Sequence, residues 1–213
     1  MEEIRVCPVH GFYRGETCEC GYKGEKILDR DKVEKLGRFV SGLLRHFPEK
    51  FNLKMDKNGW VDFNMLVKIV NRRYPWANRW VLKALIYSDK KQRYELRENK
   101  IRAKYGHSVK VVLDDYPPAE EEVLYYGTSE EEAQRMLEIG LKPVKQTYVH
   151  LSTTLEKSEE VARHRTDTPV ILEIDAKRAR ENGVRMIKAN DNIILSEEIP
   201  PEFIIRVMKI NKK

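Results

Sequence analysis

Three cysteines and a histidine near the start of the chain have the side chains that bind a soft metal ion. They are Cys7, His10, Cys18 and Cys20, spaced C-x2-H-x7-C-x-C. Thiolates and imidazole at this spacing can close a tetrahedron around zinc, and four protein ligands leave no open position for catalysis. The odd cysteine count excludes a complete disulfide framework. The spacing therefore predicts a structural zinc knuckle over residues 1–28, with chance clustering of reduced thiols as the alternative.

Charge is distributed unevenly along the chain. Residues 1–28 carry a net charge of −1, residues 29–110 a net charge of +12 and residues 111–213 a net charge of −5, within a total of +6. Such asymmetry is typical of a protein in which one lobe faces a polyanion and another has a different task. The middle segment is therefore the candidate nucleic-acid-binding lobe.

The overall composition indicates a folded protein of the cytoplasm. The 213 residues are 41% hydrophobic and 35% charged, and apolar residues recur throughout. The chain has no run of about 20 apolar residues and no apolar segment typical of a signal peptide, so we expect no membrane partner. The enrichment in Lys and Glu is typical of a thermophilic source.

The basic segment has the pattern of three helices and a hairpin. A first helix starts near Asp31 and carries one apolar stripe from Leu36 to Phe47. A second is expected from its N-cap Asp62 to about Arg73, and a third from Trp76 to Tyr87. Two short strands, Tyr94–Leu96 and Lys100–Arg102, follow with a turn at Glu98-Asn99. Three helices and a basic hairpin predict a winged-helix, RNA-binding lobe over residues 29–116.

The remaining chain, residues 117–213, has the pattern of short strands with one or two short helices. A turn-rich linker at residues 114–118 precedes it. Ser129 and Glu132 form a capping box for a helix that Gly140 ends. Strands are predicted at Val123–Tyr126, Tyr148–Leu151, Pro169–Ile174, Met186–Lys188, Ile193–Leu195 and Ile204–Lys209. The predicted fold class is therefore α+β, with a small, mostly antiparallel sheet in this lobe.

Five segments, in order, resemble the RNA 2′-phosphotransferase family, the tRNA 2′-phosphotransferases, in its archaeal form. They are Leu43-Leu44-Arg45-His46, the IRAxxGHS-like run from Ile101 to Ser108, Leu124-Tyr125-Tyr126-Gly127-Thr128, Val149-His150-Leu151-Ser152, and Arg165 with the following Thr166–Val170. The resemblance implies an ADP-ribosyltransferase-like fold for residues 117–213. It also implies an enzyme, expected to be a monomer, that transfers the 2′-phosphate of RNA, typically at a tRNA splice junction, to NAD⁺.

The resemblance implies roles for particular residues. Arg45, His46, Arg102 and Arg165 are implied to be catalytic. The 2′-phosphate is expected to bind Arg45, Arg102, His107, Ser108 and Arg165. The NAD⁺ contacts are expected from Tyr126, Gly127, Thr128, His150, Leu151 and Ser152. The types fit, because permanently charged, fork-shaped guanidinium groups suit a phosphate dianion held beside a second polyanion.

Two positions depart from the family pattern. Tyr126 stands where a histidine often precedes Gly-Thr, and Tyr105 stands where a glutamine is usual. Tyrosine still stacks and donates a hydrogen bond, so we expect altered affinity rather than lost function.

Other functions and plainer roles fit parts of the pattern. One alternative is an ADP-ribosyltransferase that caps terminal phosphates of RNA or DNA and leaves the phosphate attached to ADP-ribose. The other is a zinc and winged-helix protein without activity, which would only bind nucleic acid. The late segment Ile193–Leu195 offers no carboxylate of the kind used by protein ADP-ribosyltransferases, although Glu197 and Glu198 lie close by. Individually, Arg45 fits a solvated surface residue, Arg102 a phosphate contact of the wing, and Gly127 a bulge.

Overall fold

A computed structural model describes residues 2–210 of the chain. Two compact units divide the chain, Met1–Leu113 and Asp114–Lys213, and each has its own apolar core. Both units combine helices with small antiparallel sheets, which confirms the mixed α and β character expected from the sequence. Among the helices of residues 2–210, none combines the length and the apolar character needed to cross a bilayer.

The first unit begins with a three-stranded sheet that the sequence analysis did not predict. Its strands are β1 (Ile4–Cys7), β2 (Gly11–Arg14) and β3 (Glu25–Leu28), in the order β2-β1-β3 with antiparallel pairing. Ile4 and Leu28 are buried in the core of the unit. Gly11 takes a φ of 72° directly after the tight connection from β1, a conformation that favours glycine. The cysteines thus lie at the end of β1 and between β2 and β3 of this sheet.

Three helices follow: α1 (Arg30–Arg45), α2 (Phe63–Arg73) and α3 (Arg79–Tyr87). Their N-caps are Asp29, Asp62 and Asn78, and each side chain accepts a hydrogen bond from a backbone N–H three residues on. The predicted start of the third helix at Trp76 was wrong, because the Asn78 cap sets the first turn at Arg79. A short 3-10 turn at Glu49–Phe51 follows α1.

The apolar stripe of α1 packs as the periodicity predicts. Leu36, Val40, Leu43 and Leu44 are fully buried, and Phe47 is partly buried against the same cluster. Each fully buried leucine contributes roughly 1.5–3 kcal/mol relative to an exposed one. The stripe therefore holds the end of α1, which carries Arg45 and His46, against the core.

The predicted hairpin is confirmed and has a third strand. Strands β5 (Tyr94–Arg97) and β6 (Lys100–Ala103) pair in an antiparallel register that sets Glu95 opposite Arg102. The short strand β4 (Val61–Asp62) pairs with the other side of β6. Ile101 and Ala103 are buried, so β6 is anchored in the core at the point where the chain enters residues 104–109.

The second unit is built on a six-stranded sheet. Its strands are β7 (Val123–Ser129), β8 (Val149–Ser152), β9 (Pro169–Asp175), β10 (Met186–Asn190), β11 (Ile193–Ser196) and β12 (Ile204–Lys209). The order is β10-β11-β8-β7-β9-β12, and every pairing is antiparallel. The strands expected from the sequence are therefore confirmed: Ile204–Lys209 has the predicted bounds, and the bounds of the other five differ by one to three residues.

The helices of the second unit are α4 (Glu130–Ile139), α5 (Leu155–Arg163) and α6 (Ala176–Glu181), one more than the one or two expected; a 3-10 turn spans Pro201–Phe203. Ser129 caps α4 by accepting a hydrogen bond from the Glu132 N–H, and Gly140, with a φ of 77°, ends the helix. The second half of the predicted capping box was wrong. The Glu132 carboxylate accepts a hydrogen bond from the Thr128 hydroxyl at 2.5 Å rather than closing back onto the cap.

Candidate functional site

The four predicted metal ligands lie together at one end of the first sheet. The ligand atoms of Cys7, His10, Cys18 and Cys20 are all within 4.8 Å of one another. The Cys7 and Cys20 sulfurs are 3.7 Å apart, and the His10 Nδ1 lies 3.8 Å from the Cys7 sulfur and 3.4 Å from the Cys18 sulfur. A zinc tetrahedron with ordinary bond lengths has edges of about 3.8 Å between sulfurs and about 3.6 Å between sulfur and nitrogen. These three distances are close to the edges of such a tetrahedron.

Two neighbouring features suit a metal at this cluster. The other ring nitrogen of His10, Nε2, faces a Glu19 carboxylate oxygen at 3.4 Å, which is the outer-shell partner common to metal-binding histidines. Hydrogen bonds from the backbone of His10 and Val9 lower the pKa of Cys7 to about 6. Since the thiolate is the form that binds metal, Cys7 is suited to a cation, whereas burial and the neighbouring cysteines raise the pKa of Cys18 in the absence of metal.

A second cluster of predicted site residues forms where α1 ends. The carbonyl oxygen of Arg45 accepts hydrogen bonds from the Ser108 N–H at 2.9 Å and the Val109 N–H at 3.2 Å. The end of α1 is thereby joined to residues 104–109, which follow β6. Two segments that are about 60 residues apart in the chain and share the family resemblance meet here.

Arg45 has an unusual environment for an arginine. Its Nε and Nη2 atoms are buried and have no hydrogen-bond partner among the described residues. The guanidinium carbon lies 5.0 Å from the centre of the Tyr105 ring, and burial lowers the pKa of the side chain. Gly106 packs directly against the guanidinium, because a methyl group added to this glycine would lie 3.2 Å from the guanidinium atoms. A buried positive charge without a polar partner favours binding of an anion.

His46 and Ser108 are the closest neighbours of this arginine in sequence and space. The His46 Nδ1 and the Ser108 Oγ are 2.9 Å apart, and the His46 side chain is exposed. Partial burial and the Arg45 charge lower the pKa of His46 below its usual value of 6.5, so the neutral ring is favoured at pH 7. His107, in contrast, is buried beside Gly59, where an added methyl group would lie 3.2 Å from its Nε2.

Arg102 is held by protein groups. Only 2% of it is exposed. Its Nε and Nη2 lie 2.8 and 2.7 Å from one Glu95 carboxylate oxygen, its Nη1 donates to the Asn58 carbonyl at 3.3 Å, and its guanidinium stacks 4.3 Å from the centre of a Trp60 ring. Neither Glu95 nor Trp60 was predicted as a site residue. The hairpin register could have indicated Glu95, because it sets Glu95 opposite Arg102.

Most of the predicted cofactor residues lie on two neighbouring strands of the second unit. Strand β7 carries Tyr126, Gly127 and Thr128, and β8 carries His150, Leu151 and Ser152. Within residues 2–210, the ladder between these strands comprises one residue pair, Tyr125 with Ser152, whereas β7 pairs with β9 over its whole length. The two strands therefore separate beyond Tyr125, on the side that carries the predicted residues.

Individual cofactor candidates differ in accessibility. Tyr126, His150 and Ser152 are half-buried, and the His150 Nδ1 lies 2.9 Å from the Tyr148 carbonyl oxygen. Leu151 and Thr128 are buried, and the Thr128 hydroxyl is engaged by Glu132. The side chains available for contact on this edge are thus those of His150 and Ser152, which share one face of the sheet, whereas Tyr126 lies on the other face and packs against the core of the unit.

Gly127 has a packing role that the sequence did not reveal. A methyl group built on it would lie 2.3 Å from the Ser158 carbonyl oxygen and 2.9 Å from the Ala162 methyl group, both in α5. The helix therefore crosses β7 at a distance that only glycine permits. Arg165 follows the end of the same helix, and its side chain is exposed.

The fold and the clusters define a mixed α and β protein with a Cys/His metal-type site and a buried arginine suited to an anion. A family model described as "RNA 2'-phosphotransferase, Tpt1 / KptA family" matches residues 31–198. The chain belongs to this RNA 2′-phosphotransferase family.

Curated proteins from several archaea are similar along nearly the whole chain. A protein of Archaeoglobus fulgidus named "Probable RNA 2'-phosphotransferase 1" is 68% identical over 212 residues, which cover 100% of this chain and 98% of the relative. Methanosarcina barkeri has a "Probable RNA 2'-phosphotransferase" that is 50% identical, covering 96% of this chain and 99% of the relative. A Thermoplasma acidophilum protein of the same name is 36% identical, covering 96% and 88%. The family resemblance found in the sequence is confirmed.

Proposed function

We propose that this protein removes the 2′-phosphate of RNA, as at a tRNA splice junction, by transferring it to NAD⁺. The observation that carries the proposal is the Arg45 guanidinium, which is buried, lacks a hydrogen-bond partner at two of its nitrogens and lies beside His46 and Ser108. The family membership and the names of the archaeal relatives support the same activity.

The proposed reaction has two steps. A phosphate oxygen forms a bond to the nicotinamide ribose carbon of NAD⁺ and nicotinamide leaves, which gives a phospho-ADP-ribosylated RNA. The neighbouring ribose hydroxyl then attacks the phosphorus, and the RNA 2′-oxygen leaves and takes up a proton. The products are RNA with a 2′-OH and ADP-ribose cyclic phosphate. The first step needs no general base, because the phosphate is already an anion at neutral pH.

Residues of the first unit are proposed to hold the transferred group and to donate hydrogen bonds to it. Arg45 is proposed to donate N–H groups to the phosphate, which requires its buried Nε and Nη2, unpartnered among the described residues, to become accessible when the substrate binds. If the Ser108 hydroxyl donates to the His46 Nδ1, the Nε2–H of His46 is directed to donate to the phosphoryl group or the leaving oxygen. Arg102 would serve the phosphate only by releasing part of its Glu95 contact, so we propose that it mainly supports the loop after β6.

The second unit is proposed to bind NAD⁺ where β7 and β8 separate. His150 and Ser152 line this edge with polar atoms that suit a nucleotide, whereas the Tyr126 ring packs against the core of the unit. We propose that the unit is ADP-ribosyltransferase-like, that the first unit is winged-helix, and that Arg165 is a further phosphate-binding residue. The proposed domains remain a zinc knuckle over residues 1–28, a winged-helix lobe over residues 29–116 and the NAD⁺-binding lobe over residues 117–213.

The activity is tested by incubating the protein with a 2′-phosphorylated RNA oligonucleotide, with and without NAD⁺, followed by mass analysis. We expect nicotinamide, ADP-ribose cyclic phosphate and RNA with a 2′-OH, all dependent on NAD⁺. A product that stays ADP-ribosylated would indicate a capping enzyme. If NAD⁺ is not consumed at all, the proposal fails in favour of a binding protein without activity.

We also propose that Cys7, His10, Cys18 and Cys20 bind one structural zinc ion. Elemental analysis of protein purified without chelator is expected to give about one zinc per chain, because the ligand spacing already matches a zinc tetrahedron. The Cys18→Ser variant is expected to lose most of the metal, whereas the neighbouring Thr17→Ser control keeps it. Folded wild-type protein without metal would contradict the assignment.

A further inference from the structure

Tyr105 connects Arg45 to a turn formed by residues 89–93. Its ring lies 5.0 Å from the Arg45 guanidinium carbon, and its hydroxyl donates a hydrogen bond to the Lys91 carbonyl oxygen at 2.9 Å. Burial raises the pKa of the phenol, which keeps it protonated and able to donate. The ring is therefore fixed at one end by the turn and contacts the guanidinium with its face.

The turn itself depends on Asp89, whose side chain is 2% exposed. One carboxylate oxygen accepts a hydrogen bond from the Arg93 N–H at 2.7 Å, the other lies 3.3 Å from the Arg93 guanidinium, and the Asp89 carbonyl accepts from the Gln92 N–H at 2.8 Å. Gln92 has a φ of 47°, an uncommon conformation for a residue with a side chain. The carboxylate thus holds the loop that presents the Lys91 carbonyl.

Arg14 holds Asp89 from the opposite side. It ends β2, the strand between His10 and Cys18, and its side chain is 7% exposed. The guanidinium lies 3.8 Å from the Asp89 carboxylate and 3.4 Å from the Ser88 hydroxyl. The Arg14 Nη2 and Asp89 Oδ1 atoms make no hydrogen bond among the described residues, so charge alone joins them, and removing Arg14 would leave the buried carboxylate with less compensation.

We propose that Arg14 and Asp89 are positioning residues for the reaction, which hold Tyr105 over Arg45 and so connect the Cys/His sheet to the phosphate-binding arginine. The inference rests on the proposed function, in which Arg45 binds the 2′-phosphate. The series runs from Arg14 to Asp89, then through the turn of residues 89–93 to the Lys91 carbonyl, and on to Tyr105 and Arg45. A substitution at Arg14, Asp89 or Tyr105 is therefore expected to change the position of the Arg45 guanidinium at the substrate.

A double-mutant cycle tests the series, with KM for a 2′-phosphorylated RNA and kcat measured separately. Tyr105→Ala is expected to raise KM roughly tenfold, as loss of a partly buried cation–π contact suggests. Arg14→Gln and Tyr105→Phe are each expected to raise KM about threefold, because both loosen the ring without removing it. In the Tyr105→Ala background, Arg14→Gln should add nothing, since the residue through which it acts is gone.

Arg5 provides a matched control in the same sheet. It donates to the Glu3 carboxylate at 2.6 Å and to the Gly24 carbonyl at 2.7 Å, outside the series. Arg5→Gln is therefore expected to leave KM unchanged in both backgrounds. Tyr105→Phe keeps the test informative if Arg14→Gln does not fold, because it removes only the hydroxyl that contacts Lys91.

The outcomes separate this inference from the function it rests on. If Arg45→Ala is inactive but the Arg14 and Tyr105 effects multiply independently, the series is overturned and the proposed function stands. An unchanged KM for Tyr105→Phe would likewise overturn the series. If Arg45→Ala turns over normally, Arg45 does not bind the phosphate and the series is overturned with it, whereas wild-type protein that consumes no NAD⁺ would overturn the proposed function itself.

Discussion

Replacing Arg45 with alanine is expected to lower kcat/KM by at least about 10³-fold, in the range seen when an arginine that stabilises a transferring phosphoryl group is removed. The free energy of unfolding should change by less than about 1 kcal/mol, because removing a buried charge with two unpaired nitrogens offsets the lost packing against Tyr105. We therefore expect a large loss of activity with little change in stability, whereas a substitution in the core usually lowers both. Steady-state kinetics with a 2′-phosphorylated RNA and chemical denaturation measure the two quantities.

Two variants sharpen the Arg45 test. Arg45→Lys keeps the charge but loses the fork of donors, and we expect most of the activity to be lost with it. Arg38→Ala removes an exposed arginine of the same helix that pairs with Glu34, and its kinetics should match the wild type. Near-normal turnover by Arg45→Ala would remove the main support for the phosphate site.

The second large effect is expected for Gly127→Ala, which should destabilise the second unit by about 3 kcal/mol or more. The added methyl group would lie 2.3 Å from the Ser158 backbone carbonyl, and a backbone atom of a packed helix cannot move away as a side-chain end can. Denaturant unfolding measures the loss, and hydrogen exchange in β7 and α5 locates it.

A second glycine provides the control for Gly127. Gly37 lies inside α1, and an added methyl group there would make an ordinary contact with Leu85 at 3.9 Å. Gly37→Ala should be neutral or stabilising by up to about 1 kcal/mol, as expected for alanine in a helix. A stable Gly127→Ala protein with a raised KM for NAD⁺ would contradict the packing role and leave the cofactor role of this glycine.

The sequence predicted much of the local structure correctly. The α1 stripe, the Asp62 cap, the hairpin and the strands of the second unit follow from periodicity and capping, which depend on residues close together in the chain. The third helix was predicted three residues too early, because Asn78 was not recognised as its cap. The first sheet was missed because residues 1–28 were interpreted through their metal ligands alone.

The candidate sites show the same division. The Cys/His cluster was evident from the sequence alone, since all its ligands lie within 14 residues and their spacing limits the geometry. Only the family resemblance assigned His46 and Ser108 to the same site, because 62 positions separate them in the chain.

Residue types, spacing and local periodicity thus determined the metal-type cluster, the candidate arginines, most helices and strands, and the family. Only the tertiary structure decided which arginine keeps unpaired donors: Arg102 is paired with Glu95, whereas two nitrogens of Arg45 lack a partner. It also decided that Gly127 is needed where α5 crosses β7, and that Tyr105 is held by Lys91. The physical reason is that charge pairing and close packing depend on distances between residues remote in the chain, which local patterns do not contain.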